Sequence, residues 1–276
     1  MFHSGEDDMR ILVTGATGNV GRLVVDELLA AGASQVRALT TDPVRAALPP
    51  EVEVVEGYLG RVETLPRALE GVDRMYLAPL TRTVREVTAL AREAGVTRIV
   101  DLAGPEGSWW YDIEKAVEHS GIPWTHLEAG EFMTNTTIWA DQIRSRGEVR
   151  EAYPRAANAP IALEDIAAVA AKVLLEDGHE GAAYGLTGPE TLTRAELVEQ
   201  IGQALGREIP LVEVSHADAL ADLTETMGAD AAAWYLDGCA EMAEHPQPVS
   251  PAVSRVLGRP GMRFAEWAVA HAALFR

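Results

Sequence analysis

Cysteine occurs once in the 276 residues, at Cys239, and lysine only twice, at Lys115 and Lys172. A single thiol excludes a disulfide framework and a CxxC redox or zinc motif. The seven histidines show neither HxH nor HExxH spacing, so a metal site has no support in the sequence. No segment reaches the roughly 18 uninterrupted apolar residues that a membrane span needs, and the start, Met1 to Asp8, is polar and acidic. A cytoplasmic location is the expectation. Lys and Arg together number 23 against 42 Asp and Glu, for a formal charge of −19. So acidic a body repels phosphate backbones and anionic headgroups, and no run of Lys or Arg offsets that. Nucleic-acid and membrane-surface partners are thereby excluded.

A composition of 47% hydrophobic and 24% charged residues is that of a folded globular chain. Its length suits one sizeable domain, or a domain with an attached lobe. Arg10 to Val13, Gln35 to Leu39, Val52 to Val55, Asp73 to Ala78, Arg98 to Leu102 and Trp124 to Leu127 read as short strands. Between them, Gly21 to Ala31, Val62 to Leu69, Thr83 to Ala94 and Trp109 to His119 carry helical periodicity, several stopped by glycine. Repeated strand, helix, strand units predict right-handed crossovers and a doubly wound parallel α/β sheet. After about residue 130 the alternation gives way to helices over Leu163 to Leu175, Thr193 to Leu205, His216 to Met227, Ala229 to Met242 and Phe264 to Phe275, with a short strand over Ile209 to Val214. The predicted organisation is a dinucleotide-binding domain over 9–130 and a smaller, mostly helical substrate lobe over 131–276, with a ligand in the crevice at the carboxyl ends of the strands.

The strongest chemical signal is Gly15-Ala16-Thr17-Gly18-Asn19-Val20-Gly21, which leaves the first strand and enters the first helix. Gly15 permits a tight turn, Gly18 a close approach of backbone to a pyrophosphate, and Gly21 close packing of helix on strand. Free N–H groups at the helix start then face the anion, aided by the helix dipole.

This loop, together with Gly71-Val72-Asp73, Val96-Thr97-Arg98-Ile99-Val100, Ser120-Gly121-Ile122-Pro123-Trp124-Thr125, Phe132-Met133-Thr134-Asn135 and Leu186-Thr187-Gly188-Pro189-Glu190, resembles the NmrA-like branch of the atypical short-chain dehydrogenases/reductases. The likeness runs over nearly the whole chain. It implies a Rossmann-like fold and an NAD(P) cofactor, with Gly15, Thr17, Gly18, Asn19, Val20, Gly21, Thr41, Tyr58, Ala78 and Pro79 as cofactor contacts. Where relatives often carry an Arg before Asp-Pro this chain has Thr41, which favours NAD over NADP. Arg37 and Arg45 are close enough in sequence to substitute. Tyr58 stands where an Asp usually meets the adenine, and it either stacks on that ring or packs on a neighbouring helix.

Tyr111 and Lys115 fit a YxxxK pattern, in which lysine lowers the phenol pKa so that tyrosine can pass a proton. The family pattern counted back from Ser120-Gly121 instead places its Glu at Glu114, its Lys at Trp110 and its Tyr at Glu106. Tyr111 and Lys115 then lie one turn out of place, and the Ser after the fifth strand is missing too. Leu80, Trp109, Trp110, Phe132, Met133, Asn135 and Trp139 form the expected substrate wall, suited to a planar aromatic small molecule, while Trp124 reads as core. Glu131 and His126 are further polar candidates, Glu131 as a catalytic group. The resemblance implies an oxidoreductase acting on a quinone-like compound, by reduction or by monooxygenase-type hydroxylation, since NmrA-like members in actinomycetes accompany aromatic-polyketide antibiotic pathways. The alternatives are a redox-sensing regulator that binds NAD(P) and a protein partner, and an isomerase or epimerase, which would need a clear Tyr/Lys base. Assembly into a homo-oligomer stays open.

Overall fold

The structure, a computed structural model, describes residues 9–108 and 110–276; Trp109, counted above with the substrate wall, lies outside them. The first strand, β1 (Arg10–Val13), is buried over its last three residues and leads through the glycine loop into α1 (Asn19–Ala30). There follow β2 (Gln35–Thr40), β3 (Glu53–Glu56), α2 (Pro66–Leu69), β4 (Arg74–Leu77), α3 (Val84–Glu93), β5 (Arg98–Ala103), α4 (Tyr111–Ser120) and β6 (Trp124–Ala129). The chain continues through a 3-10 segment (Met133–Trp139), α5 (Ala140–Ser145), β7 (Val149–Glu151), β8 (Ala157–Asn158), α6 (Leu163–Leu175) and β9 (Ala182–Leu186). The remainder is β10 (Leu192–Thr193), α7 (Arg194–Leu205), β11 (Leu211–Glu213), α8 (His216–Met227), α9 (Ala229–Glu244), α10 (Ala252–Leu257) and α11 (Phe264–Ala270).

Two compact units emerge. The first gathers the chain through Ala129 with Leu163–Leu186 and Ala252–Arg259, the second Gly130–Ala162, Thr187–Pro251 and Pro260–Arg276. In the first unit seven strands form one parallel sheet in the order β3-β2-β1-β4-β5-β6-β9. The strand order reverses between β1 and β4, which makes the carboxyl end of β1 the switch point where α/β sheets bind ligands. One face is covered by a core that includes Leu12, Leu39, Met75, Leu77, Ile99, Ile113 and Val117. On the other, α6 packs against α1. At the amino ends of β4 and β5, Arg74 and Arg98 donate to carbonyls at the end of α6, Leu174 in its last turn (2.6 Å) and Glu176 just past it (2.6 Å), and both pair with Asp177. These guanidiniums satisfy helix-end carbonyls that have no partner within the helix.

The second unit has its own core, built on Met133, Trp139, Ile143, Leu197, Ile201, Phe264, Trp267 and Phe275. Its α7 starts at a capping box, Thr193 Oγ1 accepting from Glu196 N while Thr193 N donates to Glu196.

The departures from the sequence reading have local causes. The helix expected over Val62 to Leu69 is a 3-10 turn, Val62–Thr64, followed by the single turn α2. The helix expected over Phe264 to Phe275 ends at Ala270 and tightens into a 3-10 turn over Ala272–Phe275. The helix over Leu163 to Leu175 and the strand β9 belong to the sheet unit, although the sequence places that stretch with the lobe. β9 was not foreseen because Ala-Ala-Tyr-Gly-Leu lacks the β-branched alternation of a strand.

Candidate active site

The carboxyl end of β1 is stitched to the end of β4. Thr14 Oγ1 donates to Tyr76 O (2.9 Å) and accepts from Ala78 N (2.8 Å). Gly15 follows with φ +60°, a left-handed conformation that a side chain would strain, and a Cβ on it would also meet Ala78 Cβ at 2.9 Å. Gly18 N donates back to Gly15 O (2.9 Å), closing the turn, and Gly18 is the N-cap of α1. A Cβ on Gly21 would stand 2.7 Å from the carbonyl carbon of Gly15, so α1 rests directly on loop backbone. Among the described residues no side chain caps α1, and no acidic residue lies in its first turn. Gly15, Thr17, Gly18 and Asn19 are exposed, while Val20 and Gly21 are buried. The loop thus offers bare backbone and the start of a 12-residue helix, a cradle that fits a dianionic pyrophosphate without any lysine.

Around this cradle, Thr17 Oγ1 lies 3.4 Å from Thr40 Oγ1 at the end of β2. Thr41 is exposed. Asp42 Oδ1 then accepts from Val44 N and Arg45 N, both at 3.1 Å, and this bend leaves the Arg45 side chain 88% exposed. Arg22, from α1, reaches the same segment and donates to the carbonyls of Ala46 and Ala47. Arg37 is withdrawn as a cofactor candidate: it is buried, bonded to Glu53 (2.9 Å) and to the carbonyls of Ala68 and Glu70. Tyr58 keeps one side open, with the Arg82 guanidinium 5.8 Å from its ring centroid. Ala78, Pro79 and Leu80 follow β4 and are half-buried.

Tyr111 and Lys115 do meet, in the wrong geometry for a proton-donating pair. Lys115 Nζ stands over the face of the Tyr111 ring, 4.9 Å from its centroid, and is bonded to Asp112 (2.9 Å). The Asp112 carboxylate raises the lysine pKa and is itself lowered by it, so the ammonium is drawn to that carboxylate and not to the phenol oxygen. A lysine that activates a phenol must favour the phenolate oxygen instead. Trp110 is half-buried against the core under α4. His126, read above as a polar handle, is fully buried in β6, with Nδ1 2.7 Å from Asp101 Oδ2 and its ring stacked on Trp124. It lines no open surface.

In the second unit, Phe132 pairs with Ile161 in an isolated parallel bridge and is half-buried. Met133 and Trp139, expected in the substrate wall, are core residues, each 1% exposed. Trp139 Nε1 donates to Glu151 Oε1 (2.6 Å), and the same carboxylate holds Arg194 (2.9 Å). The Arg194 guanidinium is sandwiched between the rings of Trp139 and Tyr235, 4.7 and 5.3 Å from their centroids. Sequence reasoning missed this network; its one signal was an Arg placed directly after the helix cap at Thr193. Glu131 accepts from Asn158, and Asn135 also bonds to it; burial raises its carboxyl pKa against the pull of Arg194. Asn135 is exposed.

The sequence profile of a family described as NAD(P)H-binding matches residues 15–177. Over 96% of its length the chain is 37% identical to a (4-alkanoyl-5-oxo-2,5-dihydrofuran-3-yl)methyl phosphate reductase of Streptomyces griseus, 99% of which is covered. It is 34% identical, over 96% of this chain and 99% of that one, to an NAD(P)H azoreductase of Xenophilus azovorans. An NADPH-dependent quinone oxidoreductase of Escherichia coli, solved with NADPH, superposes with a TM-score of 0.83 at 27% identity, over 95% of this chain and 99% of that one. No helix among the described residues is long and apolar enough to cross a membrane. The chain belongs to the NmrA-like, NAD(P)H-binding branch of the atypical short-chain dehydrogenases/reductases and is an NAD(P)-dependent oxidoreductase.

Proposed function

We propose that this protein reduces a planar aromatic or quinone-like small molecule with NAD(P)H, as a tailoring step in aromatic polyketide antibiotic biosynthesis. The observation that carries the proposal is a pairing of features: the glycine cradle is intact, while Lys115 is bound to Asp112 and not to the Tyr111 hydroxyl. Reduction of a simple ketone calls for a strong local acid. A quinone needs only a weaker one, because its two-electron product is a stabilised hydroquinone anion. The names of the azoreductase and quinone oxidoreductase relatives favour conjugated acceptors, and the Streptomyces relative favours secondary metabolism.

In this reading Gly15, Thr17, Gly18, Asn19, Val20 and Gly21 hold the pyrophosphate with backbone N–H groups and the helix dipole. Thr41 and Arg45 face the adenosine ribose, Tyr58 the adenine, and Ala78 and Pro79 the nicotinamide. Leu80 and Trp110 supply apolar surface to the flat acceptor. The bound cofactor supplies the hydride. A hydroquinone product that reacts with oxygen would extend the same site to monooxygenase-type hydroxylation.

The test is to mix the protein with NADPH or NADH and a panel of naphthoquinones and anthraquinones, and to follow the nicotinamide absorbance with and without oxygen. Oxidation of the nucleotide that depends on a quinone is expected. Tight nucleotide binding with no oxidation by any acceptor would sink the reading.

A further inference from the structure

Beneath α4, on the face of the sheet away from α6, lies a group of acidic and basic side chains that the cofactor cradle does not use. Asp101 and His126 are register partners in β5 and β6, fully buried and joined at 2.7 Å. Glu114, in the first turn of α4, is buried beside them. Glu118, one turn later, is half-exposed, with Oε1 3.8 Å from His126 Nε2. The next pair on that face is Ala103 with Glu128, at the carboxyl ends of β5 and β6, and Glu128 is half-buried. Three atoms here, Asp101 Oδ1, Glu114 Oε1 and His126 Nε2, are buried without a hydrogen-bond partner among the described residues. No three His, Cys, Asp or Glu among those residues converge closely enough to hold a metal ion.

Asp101 and Glu114, two buried carboxyls beside one imidazole, cannot both be ionised there without a large desolvation cost. They must share protons instead. Burial pushes Glu114 up to about 7; His126 opposes this, while Glu128, Asp101 and Glu118 reinforce it. Burial raises Asp101 as well. His126 loses by burial but is carried above its ordinary value by Asp101, Glu114 and Glu118, so the neighbouring carboxyls favour a proton held within the pair. The column therefore runs from Glu118, half-exposed on α4, through the buried Glu114, Asp101 and His126 to Glu128 at the carboxyl end of β6, where parallel sheets place their ligands.

We propose that Glu118, His126, Glu114 and Glu128 form a proton relay, with Asp101 as the positioning partner of His126, that supplies the proton consumed when the acceptor is reduced. It stands in for the missing tyrosine and lysine, and it rests on the functional reading above. Hydride addition to a quinone gives the hydroquinone monoanion; one proton leaves the Glu114 carboxyl, passes over bridging water to Glu128 and ends on that oxyanion. Because Glu118 and His126 stand 3.8 Å apart and Glu114 Oε1 and His126 Nε2 have no direct partner among the described residues, Glu114 is then reprotonated through His126 and Glu118 with water bridging each gap.

The test compares wild type, Glu114→Gln and Asp101→Asn, with NADPH and menadione between pH 5 and 9, alongside NADPH affinity by fluorescence titration. In the wild type kcat is expected to fall as pH rises through about 7. In Glu114→Gln that limb disappears and kcat drops at least tenfold at pH 6, with NADPH affinity unchanged. Asp101→Asn shifts the limb to a different pH. A Glu114→Gln enzyme with wild-type kcat and pH profile overturns the relay while leaving the reductase reading intact. Failure of the wild type to reduce menadione or any other acceptor in the panel removes the reaction, and the relay with it.

Discussion

Gly21 lies against the backbone of Gly15, so close that a Cβ on it would stand 2.7 Å from the Gly15 carbonyl carbon and 3.1 Å from Ala16 Cα. Backbone cannot swing aside as a flexible side chain can, so Gly21→Ala must push α1 off the loop. Overpacking of this kind costs about 1–3 kcal/mol. Thermal unfolding should show that loss, and titration with NADPH should show at least tenfold weaker binding. A variant with wild-type affinity would mean that the loop accommodates the methyl without moving the helix start.

Cofactor preference is expected to respond to Thr41 and Arg45. Among the described residues Arg45 pairs only with Asp42, 3.6 Å away, and its side chain, 88% exposed, can turn to a 2′-phosphate. Thr41→Arg should raise the affinity for NADPH relative to NADH, and Arg45→Ala should lower it. Comparing Kd ratios for the two nucleotides checks both; an unchanged ratio in both variants would place neither residue at the ribose.

Tyr111→Phe should retain most activity. The phenol has no activating ammonium at its oxygen, because Lys115 sits over the ring and bonds Asp112. Loss of three orders of magnitude in kcat with a quinone acceptor would show that Tyr111 supplies the proton after all.

Arg194 is a test of the second unit alone. Its guanidinium is buried, bonded to Glu151 and stacked between Trp139 and Tyr235. Removing one member of a buried pair strands the other, at a cost of roughly 3–5 kcal/mol. Arg194→Met should therefore lower stability by that order in urea titration, and Glu151→Gln by less, since the amide can still accept from Trp139 Nε1.

Stability should also depend on pH through Glu114. Its folded pKa, about 7, lies above the ordinary value of 4.5. The stabilisation from keeping it protonated is thus fully present below about 4.5 and is lost as pH climbs through about 7. Glu114→Gln removes that dependence, so its melting temperature should gain on the wild type between pH 5 and 8. Parallel melting curves across that range would show Glu114 to be an ordinary carboxylate.

The sheet and the cofactor loop were legible because they are written locally. Ile11-Leu12-Val13, Ile99-Val100 and the three glycines impose strand and turn with little help from distant residues. The polar groups that matter inside the sheet were not legible in that way. Asp101 looks like an interruption in an apolar strand, and only the parallel register that sets it beside His126 turns it into half of a buried pair. Trp139 and Met133 failed as wall residues for a similar reason. Aromatic and thioether side chains suit a core and a pocket equally well, and burial, which sequence does not print, decides between them. The Tyr111 and Lys115 spacing puts both on one helix turn, but Asp112 at i+1 captures the ammonium.

Arg22 rises from α1 just past the glycine cradle and fastens the carbonyls of Ala46 and Ala47. In the proposed binding mode one helix therefore both faces the phosphates and anchors the segment beside the ribose. Exchange of nucleotide specificity is then a two-site problem for a protein engineer. Rewriting residues 41–45 alone leaves the tether in charge of how far that segment can travel, and releasing Arg22 alone loosens the grip on both nucleotides at once.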